Sequence, residues 1–250
     1  MTSTASPEIH PTAVVGPGVE IGERVSIGPH ATVLGPCRIG DDVFIGSSAS
    51  IGGPPEVSSL RQNRAWTGDL DHAGVIIESG AVIRDLVVIH QGSVRPTRVG
   101  AGAWLLNMSY LAHDVSVGAG AVISAGVRLG GHSFVGDGAN LGMNVAVHQR
   151  RSVGHGAMVG MGTPVSRDVP PFALVYGTPP RLRGVNAVAL KRLGVDEGVA
   201  GELAAEYSAG DLSLDALEGV DVDLVLAARR WWSELPDLRA VRVGAAEVAQ

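Results

Sequence analysis

The amino-acid sequence predicts a mainly β protein: a parallel β-solenoid of hexapeptide repeats followed by a small C-terminal α-helical domain. Three observations carry this. An aliphatic residue recurs every six positions, a glycine follows it in thirteen of the twenty-three repeats, and the pattern stops near Val165, after which the spacing becomes helical. A six-residue period fits neither the 3.6 of a helix nor the two-residue alternation of a hairpin strand. It fits a short flat strand and a corner. The aliphatic side chain fills the interior, and the small residue after it lets the backbone turn without a Cβ clash. Three strands and three corners then close an 18-residue triangular coil, and coils stack in parallel at roughly 4.8 Å.

The elements follow in order. Ile9, Val15, Ile21, Ile27, Val33, Ile39, Ile45 and Ile51 form a first run, and Ile77, Ile83 and Ile89 a second. From Val99 to Val165 twelve hexads pass without a miss. Between Ile51 and Ile77 about twenty residues (53–74) must loop out, and between Ile89 and Val99 four more do so around Gly92 to Arg98. Long loops on a regular solenoid usually carry function or guard a site. Asp168-Val-Pro-Pro and Gly177-Thr-Pro-Pro read as punctuation that continues neither a helix nor a ladder. Val185, Val188, Ala189 and Arg192 then space as a short helix, and Asp196 can N-cap a second towards Tyr207. Residues 211–217 and 220–235 supply further helical segments. The expected division is residues 1–178 for the solenoid and 179–250 for the helical domain, which would cap the solenoid's open end.

Composition narrows the function classes. Glycine accounts for 35 of 250 residues, about twice the usual ~7%, without the Gly-X-Y triplets of collagen. Lys and Arg number 19 against 25 Asp and Glu, a net charge of −6, so no global basic field points to nucleic acid. The lone Cys37 cannot form an internal disulfide, and the N-terminus lacks the features of a signal peptide. No apolar stretch approaches the ~18 residues of a membrane helix. A cytoplasmic protein is expected.

The eight histidines mark the candidate chemistry. Hexads 18 residues apart share a face, so His90, His113, His132 and His148 fall in one column, while His155 lies on another face. Neutral imidazoles could bind Zn²⁺. Alternatively one His could be a general base, and Asp114 beside His113 would then orient it, provided the backbone bends between them. The sequence leaves both chemistries open. It carries no phosphate-binding loop, nucleophile elbow or Cys-x-x-Cys pair.

Several stretches go beyond what coils require: Tyr110-Leu-Ala-His-Asp114, Leu129-Gly-Gly-His132, Ala146-Val-His-Gln149, Asp168-Val-Pro-Pro171, Gly184-Val-Asn186 and Leu190-Lys-Arg-Leu-Gly194. Together with the hexads they resemble the UDP-N-acetylglucosamine O-acyltransferases of lipid A biosynthesis, over roughly residues 8 to 195. The resemblance implies a left-handed parallel β-helix, a homotrimer with sites between neighbouring solenoids, and acyl carrier protein docking near the helical tail. It implies acyl transfer from an acyl carrier protein thioester to a UDP-sugar hydroxyl, with no cofactor and no metal. His113 would be the base, Asp114 its orienting partner, and the Gly131 N–H the oxyanion donor. His132, His148, Gln149, Asn186 and Arg192 would contact substrates, and Met161 would close the acyl groove, favouring medium or short chains.

The chain departs from that family in places. Tyr110 stands where the family has a second His, and Val188 where it has a Glu. Leu193 replaces the second of a paired Arg, and the first loop reads Arg64-Ala-Trp-Thr-Gly-Asp69 where a Lys is expected one place over. Another sugar nucleotide, or a specialised-metabolite sugar, is therefore an alternative acceptor. A carbonic-anhydrase-like zinc solenoid and a non-catalytic scaffold are alternatives of other classes.

Overall fold

The computed structural model describes residues 6–60, 62 and 72–244. Each hexad forms a strand of two to four residues whose conserved-spacing aliphatic points inward. Three parallel sheets result, here called faces A, B and C in the order the chain visits them. Equivalent hexads lie in register. Leu105, Ile123, Leu141 and Val159 stack on face A. Leu111, Leu129, Val147 and Val165 stack on face B, and Val117, Val135 and Val153 on face C. All of these except the slightly exposed Val117 and Val147 are fully buried. Two residues before each aliphatic, a smaller side chain such as Ala103, Ala121 or Ala139 also faces inward. Among the described residues nothing stacks beneath the first coil, and Ile9 and Val15 remain 43% and 36% exposed.

The two insertions appear in the register. Val82 pairs with Phe44, 38 positions back, and with Trp104, 22 positions ahead. Against an 18-residue coil these spacings leave twenty and four extra residues, and the face order is kept. Most edges share one backbone conformation. The third residue after the hexad aliphatic is left-handed there, with φ between 58° and 61° at Met108, Asp114, His132, Asn144 and Arg150.

The proline-rich stretches do not end the ladder as the sequence suggested. Ala173–Tyr176 adds to face A in parallel, with Leu174 opposite Met158. It then turns back as an antiparallel hairpin with Arg181–Val185, on which Arg242–Val243 adds a last strand. Pro170 and Pro171 sit at the corner before the strand, and Pro179 and Pro180 in the hairpin turn, where few ladder N–H groups are needed. The expected division at 178/179 falls inside this turn.

Three α-helices follow among the described residues. Helix α1 (Ala187–Arg192) is N-capped by Asn186, and α2 (Glu197–Ala209) by Asp196, whose side chain accepts from Gly198 N. The segment at 211–217 shortens to a 3₁₀ turn, Asp215–Leu217, because Asp211 caps its own downstream N–H at Ser213. Helix α3 (Asp223–Glu234) buries Val225, Ala228 and Trp232. It does not simply cap the end. Its Trp231 stacks on Phe134 of face C at 5.0 Å and meets His155 edge-on at 5.4 Å. Buried Asp168 ties the tail to the coils, accepting from Ser152 N, Arg151 and Arg239 N. Among the described residues no helix is long and apolar enough to cross a membrane.

The close stacking makes a stability prediction. A Cβ at Gly118 would lie 2.4 Å from the Asp137 backbone N, whereas one at Gly201 in α2 would meet nothing within 4 Å. Gly118→Ala should destabilise by ~1–3 kcal/mol through overpacking, and Gly201→Ala should stabilise by ~0.5–1 kcal/mol. Thermal midpoints at matched protein concentration check this. Equal shifts of both variants would contradict the packing account.

Candidate active site

The B–C edge holds the site. The chain leaves face B at Leu111, places His113 on the corner, and turns through Asp114 at φ 61°. That left-handed turn supplies the bend that an extended strand lacks, and His113 Nδ1 lies 2.6 Å from Asp114 Oδ2. Asp114 is fully buried.

The four-residue insertion satisfies that buried carboxylate. Val94 N and Arg95 N each donate to Oδ1 at 2.9 Å, and the Ser93 hydroxyl donates to Oδ2 at 2.6 Å. Ser93 N reaches both oxygens at 3.1 Å, and Arg95 also donates from Nε and Nη2 to the Asp114 carbonyl. Asp114 N in turn donates to Thr97 Oγ1 at 3.0 Å. Gly92 lets the loop close this tightly, since a Cβ there would sit 1.6 Å from the Arg95 carbonyl oxygen. Sequence reasoning missed Ser93, Val94, Arg95 and Thr97. The signal was the break in the hexad count, which located the loop but not where its N–H groups point.

Burial alone would push the Asp114 carboxyl up. The hydrogen bonds from Ser93, Val94, Arg95 and His113 outweigh it and hold the group well below the usual carboxylate range. An ionised Asp114 accepts the Nδ1–H of neutral His113, which leaves Nε2 with the free lone pair. Gly131, one coil on, lies against that nitrogen: a Cβ there would be 2.6 Å from His113 Nε2. The ring of His132 meets His113 edge-on at 5.0 Å. Burial lowers the His132 pKa, and Arg150, His113 and Arg95 lower it further against the pull of Asp114.

The other expected residues lie apart from this pair. His148 is exposed, with Nδ1 3.0 Å from the Gln149 carbonyl, and both residues line a separate recess on the same edge. His90 serves the first loop: its Nδ1 is 2.8 Å from the Pro54 carbonyl and its ring meets Tyr110 at 5.5 Å. Tyr110 donates to Glu56 of that loop. Arg64 to Asp69 lie outside the described residues. Asn186 caps α1 and donates to the Gly156 carbonyl at 2.9 Å, at the C–A edge, and Arg192 is exposed at the end of α1. Met161 is 67% exposed at the A–B edge, so it fills no gap between coils. His113, Asn186 and Met161 thus occupy three different edges of one prism.

His113, Asp114 and His132 present possible metal-ligand atoms within 4.8 Å of one another. Every lone pair a cation would need on Asp114 is engaged by the loop or by His113. The donor set therefore suits an oriented base better than a metal.

Two family models match the chain. Bacterial transferase hexapeptide (six repeats) covers residues 5–35 and 96–131, and UDP N-acetylglucosamine O-acyltransferase, domain 2, covers residues 168–209. A relative from Syntrophobacter fumaroxidans, an acyl-(acyl-carrier-protein)–UDP-N-acetylglucosamine O-acyltransferase, is 36% identical over 222 residues, 80% of this chain and 83% of its own. The chain belongs to the UDP-N-acetylglucosamine O-acyltransferase family. An enzyme of the same name from Paracidovorax citrulli is 45% identical over 201 residues, 74% of this chain and 76% of that one. The UDP-N-acetylglucosamine acyltransferase structure from Campylobacter jejuni superposes with a TM-score of 0.75 at 26% identity, covering 95% of this chain and 100% of that one. The left-handed parallel β-helix with a small helical tail, expected from the resemblance, is the fold of this family member.

The low pKa of Asp114 predicts how stability depends on pH. A depressed folded-state pKa stabilises fully above the unfolded Asp value of ~3.9, and that contribution is lost as pH falls through the folded value. The destabilisation caused by Asp114→Asn should therefore be largest above about pH 4 and shrink in more acidic solution. Urea midpoints of both proteins from pH 7 to pH 2 test this. A pH-independent gap would contradict the ionised, loop-bound carboxylate.

Proposed function

We propose that the protein transfers an acyl group from acyl carrier protein to the 3-hydroxyl of UDP-N-acetylglucosamine, in the cytoplasm, as a step of lipid A biosynthesis. The observation that carries this reading is the His113–Asp114 pair, with Nε2 free beside the Gly131 backbone. His113 Nε2 removes the proton of the sugar hydroxyl as its oxygen attacks the thioester carbonyl. The negative charge passes to the carbonyl oxygen, where the Gly131 N–H can donate; that N–H has no partner among the described residues. Collapse of the tetrahedral intermediate breaks the C–S bond, and the thiolate takes the proton back from Nε2. Asp114 stabilises the imidazolium throughout without itself taking the proton. No cofactor is needed beyond the thioester co-substrate.

A homotrimer completes the proposal. His113, Asn186 and Met161 lie on separate edges, so only neighbouring copies could bring such residues to one substrate. The A–B edge carries exposed Leu86, Met108, Met143 and Met161, an apolar line suited to an acyl chain or a neighbouring subunit. In this arrangement His132, His148 and Gln149 contact the nucleotide sugar or the thioester, and Asn186 and Arg192 reach a neighbour's acyl donor or nucleotide. A second acceptor, another sugar nucleotide or a specialised-metabolite sugar, is favoured by one observation: Tyr110, bonded to Glu56, occupies the place of the family's second His.

An assay with acyl carrier protein thioesters and a panel of UDP-sugars tests the reading. Turnover should be lost by ~10²–10⁴-fold in His113→Ala while its thermal midpoint and oligomeric state persist. Wild-type-like kcat in that variant would overturn His113 as the base.

A further inference from the structure

A cavity of about 460 Å³ opens beside His132, between the B–C edge and helix α3. Phe134 and Trp231 form its aromatic wall, and Arg95 and Arg150 reach it from the solenoid. The edge position explains how they converge. His113-Asp114, Gly131-His132 and Gln149-Arg150 occupy the same corner on three successive coils, joined by His132 N to the His113 carbonyl at 3.0 Å and Arg150 N to the Gly131 carbonyl at 2.9 Å. Arg150 therefore stands one coil step, roughly 4.8 Å along the axis, from His132. Arg95 flanks His132 on the other side, pinned to the Asp114 carbonyl through Nε and Nη2, with no partner for Nη1 among the described residues.

The charges of this cavity do not cancel. Arg151 is paired with buried Asp168 at 2.8 Å, and Asp168 spends its remaining acceptors on backbone N–H groups. Asp237 is the other acid on the lining. Arg150 is exposed and makes no ion pair or side-chain hydrogen bond among the described residues. Asp237 likewise makes no ion pair among the described residues, so two guanidinium groups face one carboxylate. Both arginines also act electrostatically on His132, which places their charges near its ring.

We propose that Arg150, with Arg95, binds a phosphate ester of a substrate in this cavity and so positions that substrate on His113. The inference rests on the acyltransferase reading and extends it to residues that reading does not use. A guanidinium fork matches the oxygens of a phosphate, and an arginine with no protein partner is available to meet one. Such an ester occurs in both co-substrates: the diphosphate of the sugar nucleotide and the phosphate of the carrier protein's pantetheine arm. Arg150 is a positioning residue, since it touches no reacting atom.

Isothermal titration of the full-length protein separates the sources. UDP-N-acetylglucosamine, 4′-phosphopantetheine and unphosphorylated pantetheine are each titrated into wild type, Arg150→Gln and Arg150→Lys. Losing a charge-assisted contact should weaken one or both phosphorylated ligands by about tenfold or more in Arg150→Gln. Pantetheine affinity should not change, and Arg150→Lys should recover part of the loss. The ligand that weakens identifies the phosphate. Unchanged binding of both phosphorylated ligands, or an equal loss for pantetheine, overturns the proposal while the acyltransferase reading stands. Wild-type protein that binds neither phosphorylated ligand removes that reading and the proposal with it. Unaltered thermal midpoints confirm that the variants are folded.

Discussion

The stacking of 18-residue coils in strict register is the constraint on which everything else rests. Because Leu111 sits on Leu129 and Leu129 on Val147, the corner residues that follow them must also stack. The interior supplies the driving force through columns of buried aliphatics. Glycines supply the tolerance, since a Cβ at Gly100, Gly118 or Gly136 would strike the backbone of the next coil. A functional column is then a by-product of the core. Once one corner bears His113, the corners of adjoining coils are delivered to it at a fixed step.

The left-handed edge conformation turns that geometry into chemistry. Asp114 stands at the third position after Leu111, where other coils carry Met108, Asn144 or Arg150 in the same conformation. Asp and Asn tolerate this region better than most residues. There the turn folds the carboxylate back towards its neighbour instead of away from it. Burying a charge in this way costs several kcal/mol unless hydrogen bonds replace water. The insertion after Gln91 provides them, in three backbone N–H groups and one hydroxyl. Four extra residues thus offset the desolvation of one carboxylate and fix the tautomer of one imidazole.

Much of this was legible in the sequence, for a physical reason: the hexad period is local, and each repeat announces its own strand and corner. The shared column of His90, His113, His132 and His148 followed from counting by 18, and the helix cap at Asp196 from residue type. What escaped were the non-local contacts. The strand at Ala173–Tyr176 was hidden behind Pro170 and Pro171, because a proline at a corner does not interrupt a ladder that needs no N–H there. The docking of Trp231 on Phe134 joins residues nearly a hundred positions apart, and no period encodes it. The column of four histidines also overstated its unity. His90 is committed to the first loop through Pro54, and only His113 and His132 pair.

Asp114 holds His113 with its proton on Nδ1 and its lone pair on Nε2, and the site's chemistry depends on that tautomer. Long-range ¹H–¹⁵N correlation spectra of ¹⁵N-histidine-labelled protein read the tautomer directly, with His113→Gln assigning the signal. At a pH where the ring is neutral, His113 should show a protonated Nδ1 and an unprotonated Nε2. A His113 signal showing the Nε2–H tautomer, or an even mixture of the two, would contradict it.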